Sequence, residues 1–317
     1  MRWIRDMKKR SAAAICLCAC LCLAGCGRVM DRYEEKKTGY TAAASCYPIY
    51  CLCLMAMEGI EGAELHCLIQ PQDGCLRAYE WSEWDMRKAA EYDLLVLGGR
   101  GLESYGSQVG AWEDGPAVLT VMTGMELMGQ GQSAGEDGSH FEGENPWLFL
   151  SPDGAEKMLK SICANLQGLD PEYEEKYAEN YEKAAEKIRI LGEDMRYAGL
   201  GLEGKRAACL QEGIVYFAEF MGIGTVYTYP RESGENVVDN DLEALLEGLH
   251  ESGAEAVLIE EQAPDSLVWA LEDAGYRVCR IDVLSAHMED GDAEGYIRIM
   301  KENAERWKET WYEKEQK

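Results

Sequence analysis

PEYEEKYAENYEKAAEKIRILGEDMR, residues 171–196, is the stretch on which the fold turns. Tyr173, Tyr177, Tyr181, Ala184, Ile188 and Leu191 recur at spacings of three and four, which places them on one face of an α-helix. Charged residues occupy most of the remaining positions. Pro171 suits the first turn, where a missing N–H costs nothing, and Asp170 stands where a cap is wanted. At 1.5 Å per residue such a helix reaches roughly 40 Å, long enough to run along two lobes.

On both sides of this helix the chain alternates strand-like and helix-like segments. Before it come apolar strands at 42–46, 63–69, 93–98 (DLLVLG) and 117–123, with helices at 49–58, 83–91 and 153–164. After it come strands at 206–211, 224–229, 256–260 and 277–281, with helices at 214–221, 239–252, 266–274 and 296–314. Continuous apolar strands separated by helices predict parallel sheets covered on both faces. The expected class is therefore α/β: two lobes with parallel-type sheets, 41–165 and 201–317, bridged by one long rigid helix within 166–200. Residues 124–145 are rich in Gly, Ser, Gln and acids and predict a long exposed loop. His140 is the loop's one histidine.

The amino terminus carries Arg2, Arg5, Lys8, Lys9 and Arg10 against a single Asp6, and then an apolar run over 12–23. That run is shorter than the roughly 20 residues of a membrane span, and it ends in small residues. Leu23-Ala24-Gly25-Cys26 resembles the lipobox of bacterial lipoproteins. It implies a signal peptide over 1–25, acylation of Cys26, and a lipid-anchored tether over 26–40. The expected location is extracytoplasmic, anchored by lipid to the bacterial cell membrane, because one acyl-bearing residue holds a soluble domain at the surface.

With 58 acidic against 31 basic residues the net charge is −27, and loss of the signal peptide makes the remainder more acidic still. Nucleic acid and anionic lipid headgroups are poor partners for such a surface. Of the thirteen cysteines, five fall at Cys26 or before it. The remaining eight are scattered through apolar segments without a CxxC pair, so they read as small buried hydrophobes rather than a zinc ribbon. Gly199-Leu-Gly201-Leu-Glu-Gly204 has the letters of a dinucleotide fingerprint but follows a helix and precedes a strand, the reverse of the required order. It reads as a helix end and a turn. There is no Walker loop, GxSxG elbow or HExxH, and His66, His140, His250 and His287 show no ligand spacing. An enzyme has no positive support.

Several stretches, in a common order, resemble the zinc- and manganese-binding solute receptors of bacterial ABC importers. They are Ser45-Cys46-Tyr47-Pro48-Ile49-Tyr50, Tyr79-Glu80 with Trp84-Asp85, Asp93 to Glu103 (DLLVLGGRGLE), Glu144 to Pro152 (ENPWLFLSP), Tyr216-Phe217-Ala218, and Ile281-Asp282-Val283-Leu284. The resemblance implies a binding lipoprotein that captures zinc or manganese between two lobes and delivers it to an ABC permease. It also implies a ligand set of three His, or two His and a Glu, plus one acid. Here the first His falls on Arg77 and the second on Trp147. The third falls on Gln211 or, with a slip of one, on Glu212. The final acid falls on Asp282. Arginine stays protonated and has no lone pair to give, and an indole cannot ligate. Zinc wants three or four N, S or O donors. Two arrangements follow. Cys75 supplies a thiolate to a rearranged site holding Asp282 and Glu212, or Arg77 pairs with Asp282 or Glu212 and its guanidinium stands where the cation would. The second arrangement matches the alternative function, a fold-preserving relative that binds a non-metal ligand or a protein partner.

Overall fold

The computed structural model of the protein describes residues 39–69, 76–77, 79–109, 112, 115–129, 144–229, 239–285 and 292–312. The expected signal peptide over 1–25, Cys26, the expected tether up to residue 38, Cys75 and the interior of the 124–145 loop with His140 lie outside them.

The first half runs β1 (Thr41–Ala44), α1 (Tyr47–Ala56), β2 (Glu64–Cys67), α2 (Glu83–Ala89), β3 (Leu94–Leu97), a single turn α3 (Gly106–Val109) and β4 (Ala117–Thr120). A 3-10 turn, Leu148–Leu150, then leads into α4 (Pro152–Leu169). The second half runs β5 (Arg206–Cys209), α6 (Ile214–Phe220), β6 (Gly224–Thr228), α7 (Asp239–Ser252), β7 (Ala256–Glu260), α8 (Asp265–Asp273), β8 (Arg277–Ile281) and α9 (Gly295–Tyr312). Between the halves lies α5 (Glu174–Ala198), 25 residues long.

Each half holds one four-stranded, wholly parallel sheet, in the orders β2-β1-β3-β4 and β6-β5-β7-β8. Both have the same switch in strand order. Ligand sites of open α/β sheets lie outside the carboxyl ends of the strands at such a switch. β1, β3 and β7 are buried along almost their whole length, which is why they read as unbroken apolar runs (AAA, LLVL, AVLIE).

Local chemistry sets the helix starts. Ser82 opens α2 with a capping box: its hydroxyl accepts from Asp85 N at 3.3 Å, and the Asp85 carboxylate accepts from Ser82 N at 2.8 Å. Ser151 caps α4 by accepting from Gly154 N at 3.1 Å, with Pro152 in the first turn. The expected Asp170 cap does not form. The long helix is preceded by a 3-10 turn, Pro171–Tyr173, and Asp170 instead accepts a hydrogen bond from the Tyr177 hydroxyl at 3.3 Å.

Helix α5 buries Tyr177, Asn180, Ala184, Ala185, Ile188, Leu191, Gly192, Met195 and Ala198 along one face. Its length of about 37 Å at 1.5 Å per residue serves both halves. Near its start Asn180 donates to Ala56 O and Glu58 O, both at 2.8 Å. Toward its end Asp194 pairs with Lys301 of α9 at 2.7 Å. Charges on its exposed face form pairs such as Lys183–Glu58, each worth little in water.

One apolar core runs from Ala42 and Leu95 through Ile188 and Leu191 to Cys209, Met300 and Trp307, so residues of both sheets share it. A second cluster, including Leu210, Leu245, Val257 and Leu271, lies on the other face of the second sheet. Cys46, Cys51, Cys53, Cys163, Cys209 and Cys279 are buried thiols outside any disulfide. The stem of the 124–145 loop is less exposed than its composition suggests. Gly129 and Glu144 form an antiparallel bridge, and Met125, Leu127 and Met128 pack on the core. Among the described residues no helix is long and apolar enough to cross a membrane.

Candidate functional site

The residues singled out by sequence all follow strand ends: Arg77 after β2, Trp147 after β4, Gln211 and Glu212 after β5, and Asp282 after β8. Three of them meet. The Arg77 guanidinium donates to Glu212 Oε1 in an ion pair whose side chains are only 12% and 15% exposed. Trp147, 1% exposed, donates from Nε1 to the same Glu212 oxygen at 3.1 Å. Gly213 explains how the indole comes so close: a Cβ there would lie 2.5 Å from Trp147 Cγ. A charge-assisted pair with so little access to water is held far more tightly than a surface pair.

The loop after β3 forms the wall beside Arg77. Gly99, Arg100 and Gly101 have φ of 76°, 57° and 84°, so three successive residues are left-handed. Gly99 is required, since a Cβ would fall 2.2 Å from Thr120 Cγ2, and Gly101 passes close to the Arg77 guanidinium. Glu103 ties the loop down: its carboxylate accepts from Gly98 N at 2.7 Å, Gly99 N at 2.9 Å and the Ser45 hydroxyl. Burial nevertheless pushes the Glu103 carboxyl above the usual range, against the pull of those bonds. Arg100 pairs with Glu144 at the mouth of the 124–145 stem.

Gln211 and Asp282 each have backbone partners of their own. Gln211 is buried, and its Oε1 accepts from Ile214 N at 3.1 Å, so it serves the start of α6. It is Glu212 that meets Arg77 and Trp147. Asp282 is 2% exposed, and its Oδ1 accepts from Leu284 N at 2.8 Å. Asn303 of α9 grips the peptide groups of Asp282, donating to its carbonyl at 2.8 Å and accepting from its N–H at 2.9 Å. Leu284 has φ of 60°, a left-handed conformation that an ordinary residue keeps only when its surroundings insist.

Two residues that sequence reasoning passed over complete the arrangement. Asn145, 4% exposed, donates to the Glu212 carbonyl at 2.7 Å and accepts from Trp147 N at 3.1 Å. The Tyr216 hydroxyl donates to Asn145 O at 2.9 Å and accepts from Met128 N at 2.8 Å. Both lay in stretches quoted for the resemblance, but nothing local marked them as contacts between distant segments.

The donor set does not suit a divalent cation. Among the described residues no group of three or more His, Cys, Asp or Glu side chains is placed to hold a metal ion. A cation approaching Glu212 would also meet the Arg77 guanidinium at short range.

The sequence model of the family described as zinc-uptake complex component A, periplasmic, matches residues 43–310. The metal ABC transporter substrate-binding lipoprotein FimA of Streptococcus parasanguinis is 24% identical over 262 residues, covering 77% of this chain and 80% of that protein. The manganese ABC transporter substrate-binding lipoprotein PsaA of Streptococcus mitis is 22% identical over 247 residues, covering 72% and 76%. Among solved structures, the binding protein FpvC of P. aeruginosa in complex with Ni2+ superposes with a TM-score of 0.72 at 18% identity, covering 86% of this chain and 97% of that one. That likeness is one of fold.

Proposed function

The chain belongs to the family of zinc-uptake complex component A, and from that premise we propose that it is an extracytoplasmic solute-binding lipoprotein of a metal-type ABC importer, with a cleft that has exchanged its cation for a guanidinium. Cys26 anchors it through lipid, and a permease is its partner. There is no chemical step, only capture and delivery. The observation that carries the reading is the Arg77–Glu212–Trp147 group: two family ligand positions are filled by side chains that cannot ligate, and one of them neutralises the acid at a third. Zinc and manganese are then bound weakly or not at all. The same observation favours a second reading, in which the family fold is retained for a non-metal ligand or a protein partner.

Calorimetry on the chelator-treated protein tests this. The expected result is no saturable binding of zinc or manganese tighter than micromolar. Tight zinc binding abolished by Asp282→Ala would mean that a different donor set exists, and loss of the same binding in Cys75→Ser would place the thiolate in it.

A further inference from the structure

Three bonds that join the two halves at this site involve backbone atoms: the Asn145 amide to the Glu212 carbonyl, and the Tyr216 hydroxyl with Met128 N and Asn145 O. Met128 and Asn145 bracket the 124–145 stem, and Asn145 N donates to Met128 O at 2.9 Å. The Tyr216 hydroxyl, from α6 in the other half, closes this pair into a ring. It accepts from Met128 N at 2.8 Å and donates to Asn145 O at 2.9 Å, so its donor and one acceptor position are both used. Tyr216 is 4% exposed, and burial pushes its phenol pKa further above its ordinary value, so the hydroxyl keeps the proton it donates.

Asn145 reaches across the same boundary by its side chain. Trp147 N can only donate and the Glu212 carbonyl can only accept, so the orientation of the Asn145 amide is determined by its partners. One amide thus sets both the peptide that carries Glu212 and the peptide that carries Trp147. Behind it the Trp147 ring lies against Gly213, and the apolar core is continuous between the sheets.

We propose that Asn145 and Tyr216 form a cargo-independent latch between the halves, with Asn145 the positioning residue for both Trp147 and Glu212. The joined arrangement is the resting state of the protein, and no ligand is needed to close it. This holds whatever ligand the cleft takes. A partner that opens the protein has to break these bonds, which no cargo atom shares.

Hydrogen exchange by mass spectrometry on the full chain in detergent tests the latch. In the wild type, protection of the Met128, Asn145 and Trp147 amides is the same within about twofold in chelator and in added zinc. Removing a partner of a buried bond leaves the other unsatisfied, so Tyr216→Phe speeds exchange at Met128 about tenfold or more, while strands 94–97 and 256–260 stay protected. Asn145→Asp keeps an acceptor for Trp147 N but has no donor for the Glu212 carbonyl. It therefore loosens residues 212–216 and leaves Trp147 protected, whereas Asn145→Ala loosens both. The latch is overturned if zinc raises wild-type protection tenfold over chelator, or if Asn145→Asp and Asn145→Ala give one pattern. Should the variants not fold, wild-type protection in chelator decides alone: exchange of the Met128, Asn145 and Trp147 amides at the rate of open chain, with strands 94–97 and 256–260 protected, overturns the latch. Calorimetry reads occupancy and exchange reads closure, so failure of this inference is distinct from failure of the proposed function.

Discussion

Replacing Arg77 by Met removes the charge of the Arg77–Glu212 pair while keeping much of the side-chain volume. Glu212 then keeps the Trp147 Nε1 donor at 3.1 Å but loses the Arg77 charge in a place where only 15% of its side chain meets water. Breaking a fully buried pair on one side costs about 3–5 kcal/mol. The residual access of the two side chains, 12% and 15%, lowers this to about 2–3 kcal/mol. Glu212→Gln removes the Glu212 charge from beside the guanidinium and has a cost of the same order. The double change restores neutrality on both sides, so its cost falls short of the sum by at least about 1 kcal/mol of coupling. Urea unfolding of the four proteins at pH 7, with matched m-values, measures this cycle. In a scan, Arg77→Met lowers Tm by about 4 °C or more for a chain of this size. Additive single and double changes, or an Arg77→Met cost below about 0.5 kcal/mol, the level of an exposed pair, would refute the view that a desolvated guanidinium neutralises the cleft.

Four further outcomes are expected. The double change Arg77→His and Trp147→His supplies two nitrogen donors beside Glu212 and creates zinc affinity, read by calorimetry; no gain would mean that the strand ends no longer hold family-like spacing. The thiols of Cys51, Cys163, Cys209 and Cys279 are pushed up to about 12 by burial, so a thiol reagent at pH 8 labels them only after unfolding, as mapped by peptide mass spectrometry. Glu103 has a raised carboxyl pKa when folded: the folded state holds its proton more tightly, so its contribution to stability is full below the unfolded carboxyl pKa and is lost as pH rises through the folded one. Glu103→Gln should therefore flatten the fall in unfolding free energy above the ordinary carboxylate range, and an unchanged pH slope would contradict the assignment. Cys26→Ser should move the protein from the membrane fraction to the soluble one; continued sedimentation with membranes would contradict acylation at that residue.

The alternation of strands and helices was legible because it rests on short-range chemistry. LLVL over 94–97 and AVLIE over 256–260 are unbroken apolar runs, and the three-and-four spacing over 173–191 has one helical reading. The Ser82 cap puts the start of α2 at Glu83, as expected, whereas the long helix, expected from Pro171, begins three residues later at Glu174 because Asp170 does not cap it. The loop over 124–145 was misjudged at its stem. Composition reports polarity, whereas Met125, Leu127 and Met128 are packed on the core by residues far along the chain.

By itself the sequence determined which residue types occupy the ends of the strands, and with that the mismatch between Arg77, Trp147 and a metal: a guanidinium and an indole have no lone pair to offer in any fold. Only the tertiary structure brought Arg77 to Glu212 and Trp147. Glu212 is 135 residues away along the chain and Trp147 is 65 from it, and no local pattern encodes such a contact. It arises because two parallel sheets point their carboxyl ends at one place, with Asn145 and Tyr216 joining them there. The same geometry turned Gln211 toward the start of α6 and gave Glu212 to the cleft, a difference of one residue that the side chains alone left open.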